Sequence, residues 1–208
     1  MYNGLQKEVA LGLFQSGVIV WAKKQELIEL NGGSKTSHYC DFRMLQSAPI
    51  VLERLAELCW RVIQGRNLKP ELLSGTPLGS TQIVTLISQK SGIPVITPRS
   101  DPKEHGLKKE LEGKYQPGQR ALAFDDVLTS GISLVKKNIL ILKKHGLVIN
   151  EALVVINRQQ QGAEKIARVG VRLHALFRIQ DLMEFYVERR LIPHDFYRMF
   201  LREQRLIA

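Results

Sequence analysis

Ala121-Leu122-Ala123-Phe124-Asp125-Asp126-Val127-Leu128-Thr129-Ser130-Gly131-Ile132-Ser133 is the stretch whose reading decides the fold. Ala121 to Phe124 is an unbroken apolar run of strand length, the pattern of a strand covered on both faces. Two acids follow it. Thr129-Ser130-Gly131 then makes a turn, and Ser133 to Lys144 reads as a helix closed by Gly146 at its C′ position. In open α/β sheets ligands bind outside the carboxyl ends of the strands, which is where this turn sits. Its backbone N–H groups lie at a helix N-terminus, where unpaired donors and the dipole favour a phosphate. Gly131 lets the backbone come close, and Thr129, Ser130 and Ser133 add hydroxyls. Asp125 and Asp126 are placed to hold ribose hydroxyls, directly or through magnesium, which prefers hard oxygen ligands. A strand end followed by an ordinary cap would explain one acid but not two. The stretch is neither a Walker A loop nor a GxGxxG loop.

Outward from this point the chain alternates helix and strand. Pro49 to Ile63 is a periodic helix with Leu52, Leu55, Cys59 and Val62 on one stripe. Glu71 to Ser74 reads as a short strand, Thr81 to Lys90 as a helix ended by Ser91-Gly92, and Ile93 to Thr97 as a strand. Arg99 to Gly118 is polar and without period, a long loop or irregular hairpin, and loops of that length are usually functional. Ala152 to Ile156 and Val171 to Phe177 are further apolar strands, separated by a short helix over Ala163 to Arg168. Alternation of this kind implies a parallel α/β sheet. N-terminal to it, Leu5 to Phe14 has helical spacing. Val18 to Trp21, Leu27 to Leu30 and the alternating His38 to Met44 read as strands of a small subdomain, with Asn31-Gly32-Gly33-Ser34 as a turn. Ile179 to Leu201 is amphipathic helix interrupted before Pro193. The expected layout is one domain over 1–208: helix and hood strands to about 45, an α/β core over 46–178, and C-terminal helices over 179–208. Those last helices could cap the domain or thicken a dimer interface.

The chain has 208 residues, 44% hydrophobic and 24% charged, which fits one globular domain and excludes a disordered or collagen-like chain. No apolar window is long enough for a membrane span, and Met1 is not followed by a secretory leader pattern. The two cysteines, Cys40 and Cys59, form no CxxC and no disulfide framework, so buried thiols in a reducing cytoplasm are expected. The net charge of +10 points to an anionic partner. The basic residues are scattered as pairs such as Lys108-Lys109 and Lys143-Lys144, without interleaved aromatics, so composition does not separate nucleic acid from a small phosphorylated ligand. His174 alternates within a strand and reads as structural. His145 lies at a helix end, where it suits the dipole.

The strand, acid pair and Thr-Ser-Gly-x-Ser turn resemble the PRPP-binding motif of type I phosphoribosyltransferases. Further stretches narrow the resemblance to orotate phosphoribosyltransferase. Arg99-Ser100-Asp101-Pro102-Lys103-Glu104-His105-Gly106, with Glu112-Gly113 downstream, looks like that family's catalytic hood loop. Asn157-Arg158-Gln159-Gln160-Gln161-Gly162 looks like its Asp-Arg-x-x-x-Gly. Tyr39-Cys40-Asp41-Phe42-Arg43 resembles its Tyr-x-Asp-x-Arg strand, and Thr76-Pro77-Leu78-Gly79-Ser80 stands where its pyrophosphate loop lies. The matches run in order from about residue 25 to residue 177.

The resemblance implies a type I phosphoribosyltransferase fold, a mostly parallel sheet flanked by helices with an N-terminal hood. It implies transfer of the ribose 5-phosphate of PRPP to orotate, giving orotidine 5′-monophosphate and pyrophosphate, with Mg2+ held at Asp125 and Asp126 mainly through PRPP and water. By the same resemblance Asp125 to Ser133, including Val127, Leu128 and Ile132, surround PRPP. Arg158, Thr129 and Tyr39 surround orotate, and Lys103, His105 and Arg99 serve the leaving pyrophosphate. A loop reaching the neighbouring site implies a homodimer, with no membrane and no call for nucleic acid. The chain departs from the family pattern at Ser100 and Asn31, each in place of lysine, and at Leu78-Gly79-Ser80, where Tyr and then Lys or Thr are usual. Two other readings remain open on the residues: the same reaction on another nucleobase, and a PRPP-sensing regulator whose basic surface binds nucleic acid.

Overall fold

The computed structural model describes residues 2–22, 27–29, 35–99 and 110–207. Its centre is a six-stranded sheet in the order β10-β9-β8-β5-β6-β7. These strands are β5 (Leu72–Gly75), β6 (Val95–Pro98), β7 (Leu111–Glu112), β8 (Ala121–Leu128), β9 (Glu151–Asn157) and β10 (Arg172–Arg178). All neighbours are parallel except β7, which pairs antiparallel with β6 at the edge. The apolar runs alternate between two cores, as the two-residue strand period requires. Leu73, Leu122, Phe124, Leu153 and Val155 face one core. Leu72, Ala121, Ala123, Ala152 and Val154 face the other. The apolar runs Ala121–Phe124 of β8 and Ala152–Ile156 of β9 are therefore continuous because both faces are covered.

Helices α1 (Gly4–Gln15), α2 (Pro49–Gly65) and α3 (Thr81–Ser91) build the first face. Asn3 caps α1 through a capping box with Gln6. Pro49 stands in the first turn of α2, and Gly92, with φ of 75°, ends α3 in the left-handed conformation. The second face carries α4 (Ile132–Leu134), a π-helical turn over Val135–Ile139 and α5 (Leu140–Lys144), which together make one rod, and α6 (Gly162–Arg168). α7 (Ile179–Glu188) and α8 (His194–Ile207) return to the first face, where Phe185, Tyr186, Phe196 and Phe200 are buried. The C-terminal helices thus cap the domain. The hood is two antiparallel ribbons: β1 (Ile19–Trp21) with β4 (His38–Cys40), and β2 (Ile28–Glu29) with β3 (Lys35–Thr36).

Two expectations are corrected. The strand expected to stop at Phe124 runs on through both acids to Leu128, because β9 keeps pairing with it as far as Leu128 opposite Asn157. The strand expected over His38 to Met44 ends at Cys40. Asp41 there accepts a hydrogen bond from the Arg43 N–H and starts a 3-10 helix, Phe42–Ser47, whose three-residue spacing buries Phe42 and Leu45 together. The period that reads as alternation is in part this eclipsed turn. Within Arg99 to Gly118, β7 closes a short hairpin with β6. The Asn31-Gly32-Gly33-Ser34 turn lies outside the described residues.

The Tyr186 hydroxyl, fully buried, donates to the Ala10 carbonyl at 2.8 Å and ties α7 to α1. Replacing a buried bonded hydroxyl by hydrogen leaves the carbonyl without its partner. Tyr186→Phe is therefore expected to cost about 1–3 kcal/mol of unfolding free energy, measured as a lower urea midpoint with unchanged slope.

Candidate active site

The carboxyl end of β5 lies beside the middle of β8, with Gly75 opposite Phe124. The Thr76–Ser80 loop starts there and is held from below. The Thr76 N–H and hydroxyl both donate to the Phe124 carbonyl, at 2.9 and 3.2 Å. Ser80, fully buried, donates to the Thr76 carbonyl. Asn138, in the π-helical turn, donates to the Ser74 carbonyl at 3.1 Å. Neither Asn138 nor its π-turn was legible as part of the site, since its spacing reads as ordinary helix. The Pro77–Leu78 peptide is cis.

Asp125 and Asp126 leave β8 beside this loop. A cleft of about 260 Å³ is lined by Tyr39, Asp41, Arg43, Thr76 to Gly79, both acids, Val127 and Ser133. It joins three of the sequence-predicted groups: the acid pair, the Thr76–Ser80 loop and the hood strand β4. On β4, His38 and Cys40 point into the core while Tyr39 stands on the cleft side. The Asp41 carboxylate takes a two-pronged bond from Arg43, at 2.7 and 2.8 Å, which holds it below the usual carboxylate range.

Asp125 is 6% exposed, and its carboxylate accepts the Asp126 N–H at 3.0 Å. Asp126 likewise accepts the Val127 N–H at 2.9 Å. Burial first, and then the neighbouring Asp126 carboxylate, push Asp125 well above the usual carboxylate range; burial also raises Asp126. Such a pair favours a cation. Among the described residues no set of three or more His, Cys, Asp or Glu forms a metal cage. The donors present are hard oxygens, two per acid, which fits a magnesium ion completed by ligand oxygens and water rather than one sequestered by the chain.

The turn after β8 carries Thr129 and Ser130, both half-buried, and Gly131, whose φ of 74° makes it the N-cap of α4. Ile132 and Ser133 open the helix and are exposed, whereas Leu128 is core and offers only its backbone. The loop after β9 packs directly on this turn. The Arg158 N–H donates to the Leu128 carbonyl at 2.9 Å. Gly162 sits against Thr129 and Gly131 so closely that a Cβ there would collide with the Thr129 carbonyl. The Arg158 side chain is 5% exposed, and its Nη2 donates to the Thr36 hydroxyl at 3.0 Å.

Arg99 stands at the edge of β6, its side chain paired with Glu112 and its N–H on the Glu110 carbonyl at 2.9 Å. Glu110 in turn binds Lys144 and His145. His145 also meets the Tyr115 hydroxyl at 2.9 Å, and His174 pairs with Glu151 at 2.6 Å, so both are structural. Ser100, Lys103 and His105 lie outside the described residues, as does Asn31. Cys40 and Cys59 are free and buried.

A twisted parallel sheet with an acid pair and a phosphate-type turn at the end of its central strand, under a small hood, is the type I phosphoribosyltransferase fold. Solved structures agree. UMP synthase of Leishmania donovani matches with a TM-score of 0.83 at 24% identity, over 96% of this chain and 43% of that one. Orotate phosphoribosyltransferase of Aeropyrum pernix matches with a TM-score of 0.73 at 26% identity, over 85% of this chain and 96% of that one. Orotate phosphoribosyltransferase of Chlamydia caviae is 34% identical over 157 residues, 74% of this chain and 75% of its own. No family model matches the chain. The chain belongs to the orotate phosphoribosyltransferase family. Among the described residues no helix is long and apolar enough to cross a membrane.

The acid pair sets a testable sign. An acid whose folded pKa lies above its unfolded value loses folding free energy as pH rises between the two, so at neutral pH Asp125 weakens the free protein. Asp125→Asn keeps the shape and the bond from the Asp126 N–H while removing the titratable group. It is expected to raise Tm at pH 7, by about 2–4 °C for each kcal/mol relieved. It should leave Tm little changed at pH 3, below the usual carboxylate range. Calorimetry at both pH values checks it; a lower Tm at pH 7 contradicts the sign.

Proposed function

We propose that the protein transfers the ribose 5-phosphate of PRPP to orotate, releasing pyrophosphate and forming orotidine 5′-monophosphate. The observation that carries this reading is the acid pair near the end of the central strand, Asp125 buried and Asp126 half-buried. It opens on one cleft with the Thr76–Ser80 loop and Tyr39. Family membership directs the reading to orotate.

In this reading the 5-phosphate sits on the turn from Thr129 to Ser133, held by backbone N–H groups, hydroxyls and the helix end. Asp125 and Asp126 accept hydrogen bonds from the ribose hydroxyls. They would hold magnesium together with PRPP oxygens and water; when bound, the ion supplies positive charge for the pyrophosphate. Thr76, Pro77, Leu78, Gly79 and Ser80 present the loop backbone to the pyrophosphate. Arg158, Thr129 and Tyr39 border the orotate. A ring nitrogen of orotate forms the bond to C1 as the C1–pyrophosphate bond breaks; the electron pair leaves with the pyrophosphate, which takes up the proton released from that nitrogen. Negative charge grows on the departing group, so Lys103, His105 and Arg99 act there by stabilising charge as it develops. Arg99 must exchange Glu112 for the pyrophosphate to take part. We place the enzyme in a reducing cytoplasmic compartment, which two unbridged thiols suit, and as a homodimer with shared active sites.

Orotate consumption followed by ultraviolet absorbance, with PRPP and magnesium present and adenine, hypoxanthine and uracil in parallel, tests the function. Turnover of orotate alone is expected; turnover of another base, or of none with PRPP still bound, overturns it. The double change Asp125→Asn with Asp126→Asn is expected to abolish PRPP binding in titration calorimetry, and unchanged affinity would remove the acids from the site. Lys103→Ala is expected to lower kcat by about 100-fold with PRPP affinity within a few-fold. Equal losses in both would make Lys103 a binding residue.

A further inference from the structure

The C-terminal helix enters the site from outside the resemblance, which ends near residue 177. Glu203 on α8 reaches across to the hood, where its carboxylate accepts two short bonds, from the Thr36 hydroxyl and from the Ser37 N–H, each at 2.7 Å. Thr36 is 3% exposed and Ser37 is fully buried. The helix is anchored beside this contact by Phe200, fully buried, whose ring meets the His38 ring edge-on at 5.2 Å.

The same Thr36 hydroxyl receives the Arg158 Nη2 at 3.0 Å. A hydroxyl has one proton and two lone pairs. The His38 carbonyl is 3.0 Å away, but the shorter bond, to an ionised acceptor, takes the proton. Thr36 therefore donates to Glu203 and accepts from Arg158. The chain runs from an anion through a hydroxyl to a guanidinium, and each bond polarises the next in the same sense. Arg158 is buried, and its Nε has no partner among the described residues. Its orientation rests on Nη2 and on the main-chain bond to Leu128.

We propose that Glu203 is a positioning residue for the base subsite, acting through Thr36 to fix the Arg158 guanidinium, so that α8 is a working part of the active site rather than only a cap on the domain. The inference rests on Arg158 bordering the base, as proposed above. Glu203 touches neither substrate. Its loss is felt as a misplaced Arg158, hence in the affinity for the base and not in that for PRPP, whose acids stand on β8 and whose phosphate turn follows it.

Thr36→Val is the decisive variant, since it cuts the relay and leaves the bond from the Ser37 N–H to Glu203. Thr36→Ser keeps the hydroxyl, and Glu203→Ala removes the anion. Steady-state kinetics should show the KM for orotate rising about tenfold in Thr36→Val and Glu203→Ala. The KM for PRPP should stay within twofold, and Thr36→Ser should return close to the parent. A second readout needs no turnover: phenylglyoxal modification of Arg158, located by peptide mass, should speed up in Thr36→Val and not in Thr36→Ser. An unchanged orotate KM, a parallel rise in both KM values, or unchanged Arg158 labelling overturns the proposal. If the parent protein consumes no orotate, the functional reading fails instead, and the labelling alone then decides whether Thr36 holds Arg158.

Discussion

Everything at the site follows from two adjacent carboxylates near the end of the central strand, one buried and one half-buried. Burial raises both above their ordinary range, so the free protein carries an electrostatic cost that a cation and ribose hydroxyls would relieve. The sheet can bear it because β8 is paired on both sides, with β5 and β9, and its apolar half is buried in two cores. The backbone is therefore fixed whatever the side chains at its end prefer. Strain of this kind is tolerated where function needs it and is offset by the scaffold.

Three segments converge on the acids, and contact between backbones sets their spacing. Gly162 presses on Thr129 and Gly131, so the loop carrying Arg158 and the phosphate-type turn are in backbone contact. Asn138 and the paired bonds of Thr76 to the Phe124 carbonyl do the same for the Thr76–Ser80 loop. Side chains could not come this near without displacing main chain, which is why glycine occupies the closest positions.

The fold was legible wherever a residue's role follows from its neighbours in sequence. The apolar runs at Ala121, Ala152 and Val171 marked buried strands. The doubled acid before a glycine turn marked the site. Boundaries were misread where pairing overrode local pattern, as when β9 carried β8 past Asp125. Asp41 looked like a strand residue because alternation and a 3-10 turn coincide over so few positions. Thr36 and Glu203 could not be read at all. They lie 167 positions apart, neither stands in a recognisable motif, and the packing of α8 through Phe196 and Phe200 brings them together. The His38 imidazole between them is a buried neutral group, its pKa pushed down to about 3 by burial and then by Arg158, so nothing in its titration advertises the cluster.

The departures at Leu78-Gly79-Ser80 can be weighed against this geometry. Leu78 is 64% exposed, so the apolar side chain there buys no core packing. Ser80 is fully buried and spent on the Thr76 carbonyl, so it shapes the loop from within. Gly79 is different: a Cβ at that position would run into the Asp126 carboxylate. A longer residue would have to push either the loop or the acid out of place. The missing cation and the close approach are thus one feature. A lysine at 79 would add a charge-assisted bond to a phosphate, about 1.5–3 kcal/mol. It would do so only by displacing Asp126 from the position its bond to the Val127 N–H secures. In this chain the loop meets the acids through its backbone, and positive charge for a departing anion has to come from outside the loop.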